Sequence, residues 1–254
     1  MITHLEIALS ETDLELNTNM SSVMHGAIME IVSGEFAEEM HKQAIRPYSQ
    51  SIYKIDDNKW IWSINTLNDY AAQNIINVIT NSNSIYIKNR EAELSISNYS
   101  IHKTSFDDLF INNYLGEKRS RYLTMEFITP TAFKSNEKYV FMPDIALIMK
   151  SIISKYDTLS TTTDIMDDNL LDKIVEDVSI SEYRIRSRYF YLEKTRIPGF
   201  VGRLKLKING SQNMVNMIHM LVDFAQYSGI GIKTALGMGV VKKTIDKRRN
   251  DDER

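Results

Sequence analysis

Hydrophobic and polar residues alternate from Ile2 to Leu9, the two-residue period of a strand with one buried face. The period then lengthens. Met20, Val23, Met24, Ala27, Ile28 and Ile31 recur at three- and four-residue spacing and predict a helix, capped by Thr18 or Asn19 and ended or bent at Gly34. A second short helical stretch, Glu35 to His41, leads to Arg46-Pro47. Two strands follow, Gln50 to Ile55 and Trp60 to Asn65, joined as a hairpin across Asp56-Asp57-Asn58. Asp69 to Thr80 is predicted helical, with Ala72, Ile75, Ile76 and Ile79 on one face, and Glu93 to Ile101 is a closing strand. The order is β-α-β-β-α-β, the ferredoxin-like motif.

After Gly116 the order recurs. Tyr122 to Ile128 is a strand, and Pro143 to Tyr156 is a helix with proline at its start, where the missing N–H costs nothing. The segment Leu159 to Val178 is acidic and polar with some helical character. Two long strands, Tyr183 to Leu192 and Val201 to Ile208, are joined around Ile197-Pro198-Gly199. Met214 to Gln226 is a helix, Gly229 to Gly239 a glycine-rich loop, and Val240 to Ile245 the last strand. The expected fold is α+β, two tandem ferredoxin-like domains covering 1–116 and 117–254. The symmetry lies in element order; no residue-level repeat accompanies it.

Composition narrows the chemistry. The chain has no cysteine, which excludes disulfides, thiolate metal sites and cysteine nucleophiles. No apolar run approaches the roughly 18 residues of a membrane span, and Met1 to Leu9 lacks the basic start and long apolar stretch of a signal peptide. A cytoplasmic protein without a membrane partner is expected. The net charge of -3 hides an asymmetry. From Ser181 to Arg254 there are 15 Lys and Arg against 7 Asp and Glu, a net of +8, so the remainder carries -11. The tail from Asp246 to Arg254 holds four bases and four acids, so the excess belongs to the folded portion. A basic surface on an acidic protein points to a polyanion.

Two features sharpen that expectation. Arg184, Arg186 and Arg188 alternate, as do Arg203, Lys205 and Lys207, so each triplet shares one face of a strand. Six cations on neighbouring strands, with no acid among the alternating positions, fit a phosphate backbone that neutralises them. A solvated strand face is the plainer reading, and register decides whether the triplets share a side. The second feature is the loop Gly229, Gly231, Lys233, Thr234, Gly237, Gly239. Its four glycines, of ten in the chain, fall within eleven residues. Glycine lets backbone N–H groups approach an anion, and Lys233 and Thr234 add a charge and a hydroxyl. Neither a Walker loop nor a dinucleotide fingerprint fits the spacing. A flexible helix-to-strand connection is the simpler alternative.

The stretch from Phe224 to Gly239 contains glycine-hydrophobic-glycine, five residues, then glycine-hydrophobic-glycine. It resembles the C-terminal signature of the CRISPR-associated repeat-processing endoribonucleases. Thr129-Pro-Thr-Ala-Phe133 resembles the motif opening that family's second domain. Met24-His-Gly26, and Met40-His41 through Arg46-Pro-Tyr-Ser49, resemble its N-terminal active-site region. The resemblance covers nearly the whole length and is closest to versions accompanying type III systems. It implies cleavage of CRISPR repeat RNA (pre-crRNA to crRNA) by 2′-hydroxyl attack, leaving a 2′,3′-cyclic phosphate and a 5′-hydroxyl. It leaves open transient contact with a type III effector complex and formation of a homodimer.

Without a metal, such a reaction needs a base for the 2′-OH proton, an acid for the leaving 5′ oxygen and a cation for the phosphate. Histidine suits the first two roles because it titrates near pH 6.5. On spacing alone His41 reads equally as a surface histidine at a charged helix end. The resemblance makes it the catalytic histidine, with His25 as a second proton-transfer group or a phosphate-orienting one. The family often has lysine a few residues beyond; here Lys42 follows at once and Arg46 comes five residues later. An arginine there can bind phosphate but is a poor proton donor. Tyr48 and Ser49 could hydrogen-bond the scissile region or serve only packing and turn formation. His4, His102 and His219 read as structural or surface residues. No His-x-x-x-His pair occurs, so neither a metal nor a cofactor is expected. Two rivals share the fold-level features: a non-catalytic RNA-binding subunit of a CRISPR effector complex, and a generic nucleic-acid-binding module.

Overall fold

The computed structural model describes residues 1–9, 16–56, 59–96, 98–161, 165, 169–192 and 195–244. Strand β1 (Ile2–Leu9) leads through a single 3-10 turn to helices α1 (Ser21–Ile31) and α2 (Gly34–Lys42). Strands β2 (Tyr48–Asp56) and β3 (Lys59–Thr66) follow, then helix α3 (69–80), whose middle is wound as a π-helix. A short ribbon, β4 (Ser84–Ile87) and β5 (Ala92–Ser95), precedes β6 (Tyr99–Thr104) and helix α4 (106–114). The second half runs β7 (Tyr122–Thr131), a small ribbon of β8 (Phe133–Ser135) and β9 (Lys138–Val140), α5 (Ile145–Leu159) and α6 (Leu170–Asp177). It closes with β10 (Val178–Leu192), β11 (Thr195–Ile208), α7 (Gln212–Ser228) and β12 (Val241–Thr244).

The two four-stranded sheets have the same topology. The first is ordered β2-β3-β1-β6 and the second β10-β11-β7-β12, antiparallel throughout. Each is the ferredoxin-like arrangement, in which the first and third strands lie at the centre and the hairpin partner at the edge. Alternation sets the faces. Leu5, Ile7, Ile52, Trp62 and Ile64 of the first sheet are buried with Met24 and Ile28 of α1 and Phe36 and Met40 of α2. Leu123, Met125, Phe127, Leu204 and Leu206 of the second are buried with Ile152 and Ile153 of α5 and Leu221 and Phe224 of α7. The cores interlock. Ile2, Leu67, Phe106 and Leu109 from the first half belong to the second core, and Ala235 from the second half belongs to the first.

Several sequence expectations shift. The first helical turn is capped by Asn17, whose side chain accepts from Asn19 N at 3.0 Å, rather than by Thr18 or Asn19. Gly34 does not end α1. Val32 turns extended, Ser33 caps α2 by accepting from Phe36 N at 3.2 Å, and Gly34 is the first residue of α2. The closing strand is Tyr99–Thr104, because the alternation across Glu93 to Ile101 spans the end of one ribbon and the start of another strand. Pro143 stands outside its helix, which Asp144 caps by accepting from Leu147 N at 2.8 Å. Ile197-Pro198-Gly199 is not a turn. Pro198 pairs with Tyr189 inside β11, beyond Phe200, where the β7 ladder begins, so its missing N–H leaves no central ladder bond unmade. Asp57, Asn58, Ile245 and the tail from Asp246 lie outside the described residues. Among the described residues no helix is long and apolar enough to cross a membrane.

Candidate functional site

Helix α1 places His25 between its buried stripe and solvent. One turn of the neighbouring strand fixes it: the Tyr48 ring lies nearly parallel, centroids 6.1 Å apart, and the Tyr48 hydroxyl is 2.9 Å from His25 Nδ1. Tyr48 is fully buried, and burial pushes its hydroxyl above the ordinary phenol range, so it remains a donor at any working pH. Burial likewise lowers the His25 pKa to about 4, with smaller contributions from Arg46 and then His41. His25 is therefore neutral at pH 7, and the two other groups lie within electrostatic reach of it.

His41 and Lys42 are exposed in the last turn of α2, where the helix's negative end favours cations. The chain then turns, and Arg46 folds back so that its Nε donates to Met40 O at 2.8 Å. That bond uses one of five guanidinium donors and fixes the plane of the rest. His25, His41 and Arg46, separated by up to 21 positions in the chain, converge on one corner of the first half.

Next to this corner lies a cleft of about 360 Å³. The segment Gln43 to Arg46 forms one wall, Ser151, Ser154 and Lys155 of α5 the second, and Gly231 to Leu236 the third. The lining contains Arg46, Lys155 and Lys233 and no carboxylate. The sequence reading missed Lys155. It lies on the apolar stripe of α5, between Ile153 and Tyr156, and a lysine on a buried helix stripe was the available signal.

The glycine-rich loop is built differently from the expected anion cradle. Gly229, Gly231, Gly237 and Gly239 all have positive φ, but protein rather than open space presses against them. A Cβ on Gly237 would stand 2.2 Å from Ser21 Cβ, and one on Gly231 would stand 2.2 Å from Ala132 O. The amides of all four glycines donate to protein oxygens: Ala225 O, Ser151 Oγ, Thr234 O and Pro130 O. The glycines thus let the loop wedge between the halves. Lys233 and Thr234 face the cleft, with Lys233 itself in a left-handed conformation at φ 56°. Gln50 locks the wedge. Its side chain donates to Ser21 O at 2.6 Å and Ala235 O at 3.1 Å and accepts from Trp62 Nε1 at 3.0 Å.

The basic hairpin has the register the alternation left open. Arg184 faces Arg203 across the ladder, which puts both triplets on one side of the sheet, opposite the buried Leu204 and Leu206. Arg184, Arg186, Arg188, Arg203 and Lys207 are exposed and Lys205 half-buried. The face is not free of acid. Glu182 pairs with Lys205, and Glu126 of β7 meets Arg203 at 3.2 Å. Both acids sit toward one end, so Arg186 and Arg188 form the more open positive run. That run leads to the loop, because Phe190 and Ile197 at the far end of the hairpin pack with Met238 and Ala132.

The remaining histidines sit apart. His4 and His102 are cross-strand partners on the face of the first sheet that meets Tyr227 of the second half, and His219 is buried on α7 with Nε2 2.9 Å from Ser120 O. Among the described residues no cluster of His, Cys, Asp or Glu could hold a metal ion.

Both the sequence and the fold match known proteins. The family model for CRISPR-associated endoribonuclease Cas6 matches residues 125–241. A Streptococcus thermophilus protein named CRISPR-associated endoribonuclease Cas6 is 30% identical over 226 residues, 89% of this chain and 91% of that one. A Mycobacterium tuberculosis protein of the same name is 28% identical over 221 residues, 86% of this chain and 70% of that one. Among solved structures, a Cas6 product complex superposes with a TM-score of 0.81 at 20% identity, covering 96% of this chain and 99% of that one. The chain belongs to the CRISPR-associated endoribonuclease Cas6 family and is an RNA endonuclease.

Proposed function

We propose that this chain cuts CRISPR repeat RNA within each repeat, releasing crRNA units, by a metal-independent attack of the 2′-oxygen on the adjacent phosphorus. The P–O5′ bond breaks as the P–O2′ bond forms, leaving a 2′,3′-cyclic phosphate and a 5′-hydroxyl. His41, exposed at the end of α2, transfers the proton. His25 has a different task. With Tyr48 donating to its Nδ1, a neutral ring carries its proton on Nε2 and offers a fixed hydrogen-bond donor toward the phosphate or the leaving oxygen. Arg46, with Lys42 beside it, supplies fixed positive charge to the crowded phosphate. The six cations of the hairpin and Lys233 hold the flanking backbone. The two halves act as the two domains 1–116 and 117–254, the first carrying proton transfer and the second RNA binding. In this reading the enzyme works in the cytoplasm, and its product passes to a type III effector complex.

The observation that carries the proposal is the convergence of His25, His41 and Arg46 beside a cation-lined cleft without a carboxylate. Repeat RNA incubated with the protein in excess EDTA tests it. The expected result is one discrete cut with a cyclic phosphate, abolished by a single 2′-deoxy substitution at the cut position and largely lost in His41→Ala. Binding without cutting by the unaltered protein would overturn it in favour of a non-catalytic RNA-binding subunit.

A further inference from the structure

Lys155 is 9% exposed and projects from the core-facing side of α5. Its Nζ donates to Gly229 O at 2.9 Å and to Ser228 O at 3.4 Å, the last carbonyls of α7. Two donors of the ammonium are thereby engaged, and it has three. Among the described residues that line the cleft there is no carboxylate. The charged groups that face it are Arg46 from the segment after α2 and Lys233 from the glycine-rich loop, both cations; its own helix adds only the hydroxyls of Ser151 and Ser154. A methionine would fill the same space without a desolvation penalty. Burial alone pushes the Lys155 pKa down to about 7, which makes the lysine a standing cost to the fold at neutral pH. A cost of that kind at a cleft wall points to a use there.

We infer that Lys155 is the floor of a phosphate subsite, shared with Arg46 and Lys233, in which it becomes fully protonated when a phosphate of bound RNA enters the cleft. Binding and proton uptake are then one event. An anion within reach favours the charged lysine, and the charged lysine holds the anion. The helix carbonyls that hold Nζ also define the start of the glycine-rich loop, so the phosphate grips both walls through one side chain. The inference rests on the endoribonuclease reading for the identity of the ligand. It is independent of which group moves the proton during cleavage.

The test is calorimetric titration of the full chain with 2′-deoxy-blocked repeat RNA at pH 7.5–8, in two buffers of different ionisation enthalpy. Unaltered protein should take up a measurable fraction of a proton. Lys155→Arg, charged throughout, should bind with comparable affinity and lose that uptake, and Lys155→Met should lose the uptake and bind about tenfold more weakly. The difference between unaltered protein and Lys155→Arg isolates the lysine from His41, which both retain. Lys155→Met should still melt in one cooperative transition well above the assay temperature, which separates a lost ligand contact from a lost fold. Equal proton uptake in unaltered protein and Lys155→Arg would overturn the inference while leaving the nuclease intact. Blocked RNA that fails to bind unaltered protein, or unblocked RNA left uncut by it, would count against the endoribonuclease reading itself.

Discussion

The two halves repeat one topology and divide the chemistry by residue type. In the first, the histidines stand on helices: His25 in the middle of α1 and His41 at the end of α2, with Arg46 after it. In the second, permanently charged groups stand on strands, where alternation lines up Arg184, Arg186 and Arg188 beside Arg203. Proton transfer needs a group whose pKa the surroundings can move, and a helix beside a core provides that. Backbone binding needs charges spaced along a straight line, and a strand provides that at roughly 6.6–7 Å between same-face residues. On the proposed reading, the same fold serves two tasks by using different elements for each.

Breaking each half should give distinct kinetic signatures. His41→Ala should produce the largest effect, a fall of about 10²–10⁴ in the rate of the chemical step with RNA affinity little changed, read by single-turnover cleavage. Replacing Arg184, Arg186 and Arg188 together by glutamine should weaken binding by about 10²-fold while the saturated rate holds. It should also reduce the slope of log affinity against log salt by roughly 2, the share of three phosphate contacts on a single strand. If the triple variant instead lost rate at saturation, the division of labour would be wrong. Tyr48→Phe removes the hydroxyl bonded to His25 Nδ1 but keeps the stacked ring, and should cost about tenfold in rate, with affinity unchanged. The remaining effect is on stability rather than on rate. His25 and His219 are both lowered to about 4 from an ordinary 6.5, so the unfolded chain binds protons first as pH falls. Their contribution is intact above pH 6.5 and is lost between pH 6.5 and 4, at up to about 1.4 kcal/mol per pH unit for each group. Denaturant midpoints should fall across that window, and His219→Gln should flatten the fall.

The strands and helices were legible because each half buries one face, which writes its period into the sequence. The misplaced boundaries share a cause: a local signal that tertiary pairing overrides. Pro198 and Gly199 have turn chemistry, but the long β10–β11 ladder continues past them at the edge of the sheet. The alternation around Ser95 to Tyr99 runs across a break that only the pairing partners reveal. At the site, His25, His41 and Arg46 were legible from a pattern of residues rather than from periodicity. Tyr48 was read as a partner of the scissile region or as packing, and its bond to His25 was not foreseen because it spans 23 residues. The glycines were singled out correctly, yet for an open cradle, whereas their positive φ angles accommodate Ser21 and Ala132. Sequence spacing records that a residue must be small; it does not record what approaches it.

The wedge formed by Gln50, Ser21 and Ala235 has a temporal consequence. The bond from Gln50 to Ala235 joins positions 185 residues apart, among the most distant contacts in the chain. Loop closure over such a span comes late in folding. During synthesis the first half, with both histidines in place, is complete long before the residues that wall the cleft have been made. A chain lacking Gly229 to Gly239 would keep His25, His41 and Arg46 and lose one wall of the cleft beside them. The wedge therefore closes only after two segments far apart in the chain have both been made.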